Sequence, residues 1–326
     1  MSAAHDCTFR SMGSDIRLII ETPLQPGLPP PADAAARERR YIEAFARRLS
    51  RFHPDSELSA LNRAPGTEVP ASLLLRTAVA AGVWAAERSG GIVDPTLLGP
   101  IERAGYRGSH EGRAPASLEL ALAHAPPRRP ARADPRSRWR EIEIDNERAT
   151  VRRPVGLGLD TGGTGKGLAA DAVAHRLRGY TRFVVDCGGD IVIGGVGSQL
   201  DPLLMEVEHP LTGDCARTLR VAAGGVATSG LNVNIWRRSD GSFAHHLLDP
   251  ATGEPVWSGL IGATALAPSA LEAETLAKLA LLTGPAGARR ALAEHGGLVV
   301  HEHGEVESIG PIDDGEPAAL ALGRAA

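Results

Sequence analysis

The sequence predicts an α+β fold. Three observations carry that expectation. Some stretches repeat apolar residues with helical spacing, and short strand-like runs are set off by glycines and turns. The two kinds are also mixed without the regular strand–helix–strand alternation of a doubly wound sheet. After the Pro-rich residues 24–31, Tyr41, Phe45 and Leu49 repeat every four residues and place a helix over 32–49. A second helix fits 72–88, with Ser72 as its N-cap and Gly90-Gly91 as its stop. Residues 102–140 are rich in Pro, Arg and Ala. They read as a variable excursion holding a short helix at 118–124.

From residue 141 the texture changes. "EIEIDNERATVRR" alternates around an Asn-Glu turn, as a hairpin does. "GTGKGLAADAVAHRLRG" is a Gly-rich loop opening a helix, and "RFVVDCGGDIVIGGVG" is two buried strands around a Gly-Gly break. Further strands are expected at 203–207, 218–221, 260–265 and in "GLVVHEHGEVESIG", with a late helix over 270–282.

With 326 residues, 43% of them hydrophobic, the chain can build a large core, read here as one domain spanning 1–326. A formal charge of −4 gives no reason to expect a nucleic-acid partner. The arginines of 128–140 read as a solvated loop or as a contact for phosphate or an acidic surface. Cys7, Cys187 and Cys215 are odd in number and widely spaced, which argues against a disulfide framework. No basic start precedes an apolar run, and no stretch approaches the ~20 apolar residues of a membrane helix. The expectation is a cytoplasmic protein without membrane insertion, an exported form remaining open if a leader was removed.

Several segments carry candidate chemistry, each with a plainer reading beside it. In "LDTGGTGKGLAAD", glycines bring backbone N–H groups close to a phosphate, a helix N-terminus favours negative charge, and Lys166 adds a cation. It is not a P-loop, because Gly167 stands where Ser or Thr is required, and a tight strand-to-helix turn is the alternative. Asp94 of "VDPTLLGP" either meets a ligand or turns the chain. The Gly-Gly of "VVDCGGDIVIGG" reads as a close backbone approach or bulge. "ATSGLN" reads as an ordinary turn or a phosphate contact. In "HHLLDPATGEP", His246 is the acid–base candidate, and Asp249 either orients it or caps the turn. Glu274 and Lys278 share one helix face, where the plain reading is an i,i+4 ion pair of a few tenths of a kcal/mol.

Taken in order, "FRSMGSDIRL", "LSRFHPDSELSALN", "GGIVDPTLLGP", "LDTGGTGKGLAAD", "VVDCGGDI", "GVATSGLN", "HHLLDPATGEP" and "APSALEAETLAKLALLTG" resemble the ApbE family of FAD:protein FMN transferases. The resemblance runs from Phe9 to Gly284. It implies a two-lobed α+β fold of the T-fold type with FAD between the lobes. It also implies cleavage of the FAD pyrophosphate, release of AMP, and attachment of FMN to a Thr or Ser of an acceptor flavoprotein, assisted by Mg2+. By position, Met12, Phe52, Asp94, Pro95, Thr96, Asp160, Lys166, Ser229 and Leu247 are implied to contact FAD. His246 is implied as general base, with Lys166 and Asp249 as further catalytic candidates.

Two departures touch the chemistry. The family's late helix has Asp and then Thr or Asp four residues on as magnesium ligands, beside a backbone carbonyl at about Gly163. This chain has Glu274 and Lys278. A charged lysine has no lone pair, so Lys278 is not expected to ligate, and its ammonium is instead a fixed cation in the metal's place. In "TSGLNVNIW", Leu231 and Val233 remove the polarity usual after the Ser-Gly. The reading is an FMN transferase. The alternatives are an FAD-binding relative with altered or lost metal chemistry (a hydrolase, a metal-independent enzyme or a flavin carrier) and, in a different class, a plain structural module.

Overall fold

Residues 4–109, 114–313 and 324–325 are described in a computed structural model. Eight strands form one antiparallel sheet in the order of the chain: β1 (His5–Ser11), β2 (Ser14–Ile20), β3 (Phe183–Cys187), β4 (Asp190–Gly194), β5 (Gly224–Gly230), β6 (Leu260–Ala267), β7 (Gly297–His301) and β8 (Val306–Ile309). Side chains alternate across a strand, so Ile16, Leu18 and Ile20 enter one apolar cluster and Ile19 the other. The β3 and β4 runs are nearly all apolar because both faces of the sheet are covered.

Four long helices matter for the site: α1 (Pro31–Leu49), α2 (Leu73–Arg88), α3 (Gly165–Arg176) and α4 (Ala270–Ala291). The side-chain oxygen of Ser72 accepts from Leu75 N at 3.2 Å, as the sequence expects of an N-cap. α4 runs beyond the expected 282 and bends at Gly284 (φ 69°), beside Pro285. Asp171 of α3 accepts from Ala270 N at 2.8 Å and Leu271 N at 2.9 Å, so one helix caps the start of another.

Both expected hairpins form. In the second, Gly188 and Gly189 have φ of 67° and 86°, the turn that matches the twist of two antiparallel strands. Several strand regions go beyond the expected elements. Residues 5–20 make the β1–β2 hairpin, whose turn holds Met12 and Gly13 at φ 52° and 73°. "ATSGLN" is a correction: Ala227–Gly230 end β5 instead of forming a turn. Glycine is required earlier in that strand, since a Cβ on Gly225 would stand 2.2 Å from the backbone of Ser269. The excursion does hold the expected short helix, Leu118–Ala123, and Ala131 N is tied to Leu282 O at 2.8 Å. No described helix is long and apolar enough to cross a membrane, and all three cysteines are free.

Candidate active site

The turns β1–β2 and β3–β4 and the C-terminal end of β5 lie at one end of the sheet. They meet there closely: a Cβ on Gly188 would fall 2.4 Å from Ser14, and Thr228 N donates to Gly189 O at 3.1 Å. The N-terminus of α3 points into this junction through Lys166. Its ammonium donates to Gly188 O at 2.9 Å and stands 2.9 Å from Asp190 Oδ2. Asp190 is 1% exposed, and neither of its oxygens receives a well-directed hydrogen bond, so the Lys166 charge is its main compensation.

Beside this pair lies a second one. Lys278 Nζ donates to Glu274 Oε1 at 2.8 Å, and Glu274 Oε2 accepts from Gly167 N at 2.9 Å. The expected i,i+4 pair is therefore present but buried, with Glu274 wholly enclosed. Gly167 explains the closeness. A Cβ there would stand 2.7 Å from Ala270 O, so only glycine lets α3 approach α4 and offer its N–H.

Burial and the Asp190 charge raise the Glu274 carboxyl's proton affinity, while Lys278 and Lys166 lower it. Burial disfavours the Lys166 ammonium, but Asp190 and Glu274 outweigh it and hold the lysine charged. His246 lies near both cations. Burial first, and then Lys278, push its pKa down to about 4, so the ring is neutral at neutral pH. Its Nδ1 faces Asn234 O at 3.4 Å, which selects the Nδ1–H tautomer and leaves the Nε2 lone pair available. The neighbouring His245 has a different job. It is buried, contacts Val256 O at 2.9 Å, and packs edge-on against Trp257.

An aromatic wall adjoins the Gly-rich loop. Phe52 and Tyr106 rings are 5.5 Å apart, as are Tyr106 and Trp236. The Arg51 guanidinium lies over Phe52 at 4.2 Å and Tyr106 at 4.7 Å, and its Nε pairs with Asp160 Oδ2 at 3.3 Å. Asp160 also accepts from Gly162 N at 2.8 Å, and its own N–H donates to Pro95 O at 2.8 Å. Asp94 closes a local turn by accepting from Thr96 N and Oγ1 at 2.8 and 2.7 Å, and burial raises its pKa. Val93 lies against Gly163, where a Cβ would be 3.7 Å away.

The structure thus gathers Met12, Lys166, Ser229, Glu274, Lys278 and His246 around one junction. It sets Phe52, Asp94, Pro95, Thr96, Asp160 and Gly163 along the adjoining loops. Two expected residues have polar groups bonded locally. Leu247 is buried, and its N–H and C=O are used by the His245 ring and Val256 N. Of the two roles open to Asp249, the geometry carries the turn cap: Oδ1 accepts from Arg132 N at 2.9 Å and Ala251 N at 3.1 Å. Sequence reasoning missed Asp190, Arg51, Tyr106 and Trp236. A lone Asp opening the apolar run "DIVIGG" was a legible signal for the first; long-range packing creates the others.

The family model described as "ApbE family" matches residues 12–300. This chain belongs to the ApbE family. Among ApbE relatives, the "FAD:protein FMN transferase" of Klebsiella pneumoniae is 27% identical over 269 residues, which cover 80% of this chain and 74% of that protein. The ApbE protein of Thermotoga maritima superposes with a TM-score of 0.74 at 23% identity, covering 94% of this chain and 97% of that one. The flavin transferase ApbE of Vibrio cholerae gives 0.72 at 20% identity, covering 95% and 98%. These structures share the fold, and the α+β expectation holds.

The ApbE resemblance also implies Mg2+, and the residues present do not fit it. Both Glu274 oxygens are engaged, one by an ammonium, and Lys278 brings a charge where a ligand oxygen is needed.

Proposed function

We propose that this chain is an FAD:protein FMN transferase. The observation that carries the reading is the pair of ammoniums, Lys166 against Gly188 O and Asp190 and Lys278 against Glu274, at the end of the sheet where a Gly-rich loop opens α3, with the His246 ring held neutral by burial and by their charge. The family membership and the Klebsiella relative support the same chemistry. Met12, Phe52, Asp94, Pro95, Thr96, Asp160 and Ser229 bind FAD in this reading, with Phe52 offering a ring face to a planar ligand. The pyrophosphate lies against Lys166 and the helix N-terminus.

A Thr or Ser hydroxyl of an acceptor flavoprotein attacks the phosphorus of the FMN half. Its proton passes to His246 Nε2, the new Oγ–P bond forms, and the bond from that phosphorus to the bridging oxygen breaks, so AMP leaves with the oxygen. Lys166 offsets charge growing on the phosphoryl oxygens. Because His246 is neutral near pH 7, it is ready to accept a proton without prior ionisation.

The test is to incubate the chain with FAD and a Thr-bearing acceptor flavoprotein and to follow AMP, free FMN and acceptor-bound flavin. Equal amounts of AMP and bound flavin are expected. FAD binding without AMP would refute the reading, and AMP matched by free FMN would replace it with hydrolysis.

A further inference from the structure

We propose that the Lys166–Asp190–Glu274–Lys278 cluster neutralises the FAD pyrophosphate with its own two ammonium groups, so that FMN transfer by this chain proceeds without a bound divalent cation. The inference rests on the transferase reading above and names how that site handles phosphate charge.

The donor set comes first. A divalent ion that took Glu274 as a ligand would share Oε1 with the Lys278 ammonium or Oε2 with the Gly167 N–H. On Oε1 it would stand against a like charge. On Oε2 it would crowd the contact of α3 with α4, where a Cβ on Gly167 would meet Ala270 O at 2.7 Å. Expelling the ammonium instead would break a buried pair, which is strongly destabilising.

Charge balance points the same way. Each ammonium already has an acidic partner, Lys166 with Asp190 at 2.9 Å and Lys278 with Glu274 at 2.8 Å. Adding a divalent cation would place two further positive charges among two existing ones, and like charges a few ångströms apart repel strongly in such surroundings. An anionic pyrophosphate meets the opposite situation. Each ammonium has three donors, and Lys278 spends one on Glu274 while Lys166 faces Gly188 O and Asp190. Both side chains keep some exposure, 26% for Lys166 and 11% for Lys278, whereas their carboxylate partners have 1% and 0%. The lysine side chains are therefore less enclosed than the carboxylates they pair with. His246, the proton acceptor in the proposed reaction, lies within the influence of both ammoniums.

Two measurements test this on the intact chain. Mn2+ serves as a hard divalent probe, and its electron paramagnetic resonance signal reports binding without turnover. With FAD present, the wild type is expected to leave Mn2+ free, and AMP release with acceptor is expected to stay within about twofold between EDTA and Mg2+. The double variant Glu274→Asp with Lys278→Thr is expected to gain one Mn2+ per chain and to become EDTA-sensitive. Lys278→Met is expected to lose about 10²–10³-fold in AMP release, with Lys278→Arg recovering most of it and Mg2+ recovering none.

One Mn2+ bound by the wild type and lost in Glu274→Gln would overturn the proposal, as would wild-type transfer abolished by EDTA. Absence of AMP under every condition sinks the transferase reading instead, and the Mn2+ signal still decides the metal question.

Discussion

The site has two unlike walls. One is the charged junction of Lys166, Asp190, Glu274, Lys278 and His246, carried on strand ends and the helices α3 and α4. The other is the aromatic run Phe52–Tyr106–Trp236 with Arg51, carried largely on connecting segments. The difference teaches a division of labour. Buried charges tolerate little displacement, because each ion left unpaired costs several kcal/mol. They therefore sit where backbone packing fixes them. Ring faces lose little from a small shift, so loops suffice to hold them.

The largest effect expected from that contrast comes from Lys166→Met. It leaves Asp190 buried without its cation, which costs about 3–5 kcal/mol of stability and removes the main charge facing the phosphate. Calorimetric melting and AMP release should both collapse. A stable, active variant would show that the junction is not electrostatically locked.

His246→Asn should separate chemistry from folding. It is expected to reduce kcat about 10²–10⁴-fold while melting changes little, because the ring makes one long contact to Asn234 O. Loss of FAD affinity with unchanged kcat would move His246 from the reaction to the binding wall.

Acid provides a third probe. His245 and His246 are held at about 3 and about 4, below the ordinary value of 6.5. The unfolded chain therefore takes up protons first, so stability present above pH 6.5 is lost as pH falls toward 4. Asp186 and Glu274, raised to about 6 and about 7 mainly by burial, oppose this with comparable weight, since the folded state takes up their protons first as pH falls. With both pairs of shifts acting, stability measured by urea unfolding should stay nearly flat between pH 7 and 5, while kcat/KM should not show an acid limb near 6.5. A limb at 6.5 would contradict a half-buried histidine held neutral beside two cations.

Gly167→Ala should cost about 1–3 kcal/mol, because a methyl meets the first turn of α4. The smallest effect is expected on the aromatic wall. Tyr106→Ala removes about 0.5–1.5 kcal/mol of ring contact, visible as a severalfold rise in KM for FAD with little change in kcat. A kcat loss as large as that of His246→Asn would erase the distinction between the walls.

Much of the scaffold was legible. Repeating Tyr41, Phe45 and Leu49 located α1, Ser72 marked the start of α2, and the Gly-Gly between apolar runs located the β3–β4 hairpin. β5 was not, because its small residues answer to the close approach of α4 and not to strand propensity. Within the site, Lys166, His246, Glu274 and Lys278 were legible from the Gly-rich loop, the His-His motif and the helix spacing. What spacing could not supply was depth. Glu274 and Lys278 read as a weak surface pair until the packing of α3 on α4 enclosed them. Tyr106, in a segment read as an excursion, reaches Phe52 only through tertiary contact. Leu247 and Asp249 follow a histidine that stays in place, but their own groups are consumed locally.

The most direct test of the account is mass spectrometry of a Thr-bearing acceptor flavoprotein co-expressed with the wild-type chain or with His246→Asn. The wild type is expected to add one FMN, less one water, to a single Thr or Ser, and the variant to leave the acceptor largely unmodified. An unmodified acceptor with the wild-type chain, while FAD is bound and AMP does not appear, would contradict it.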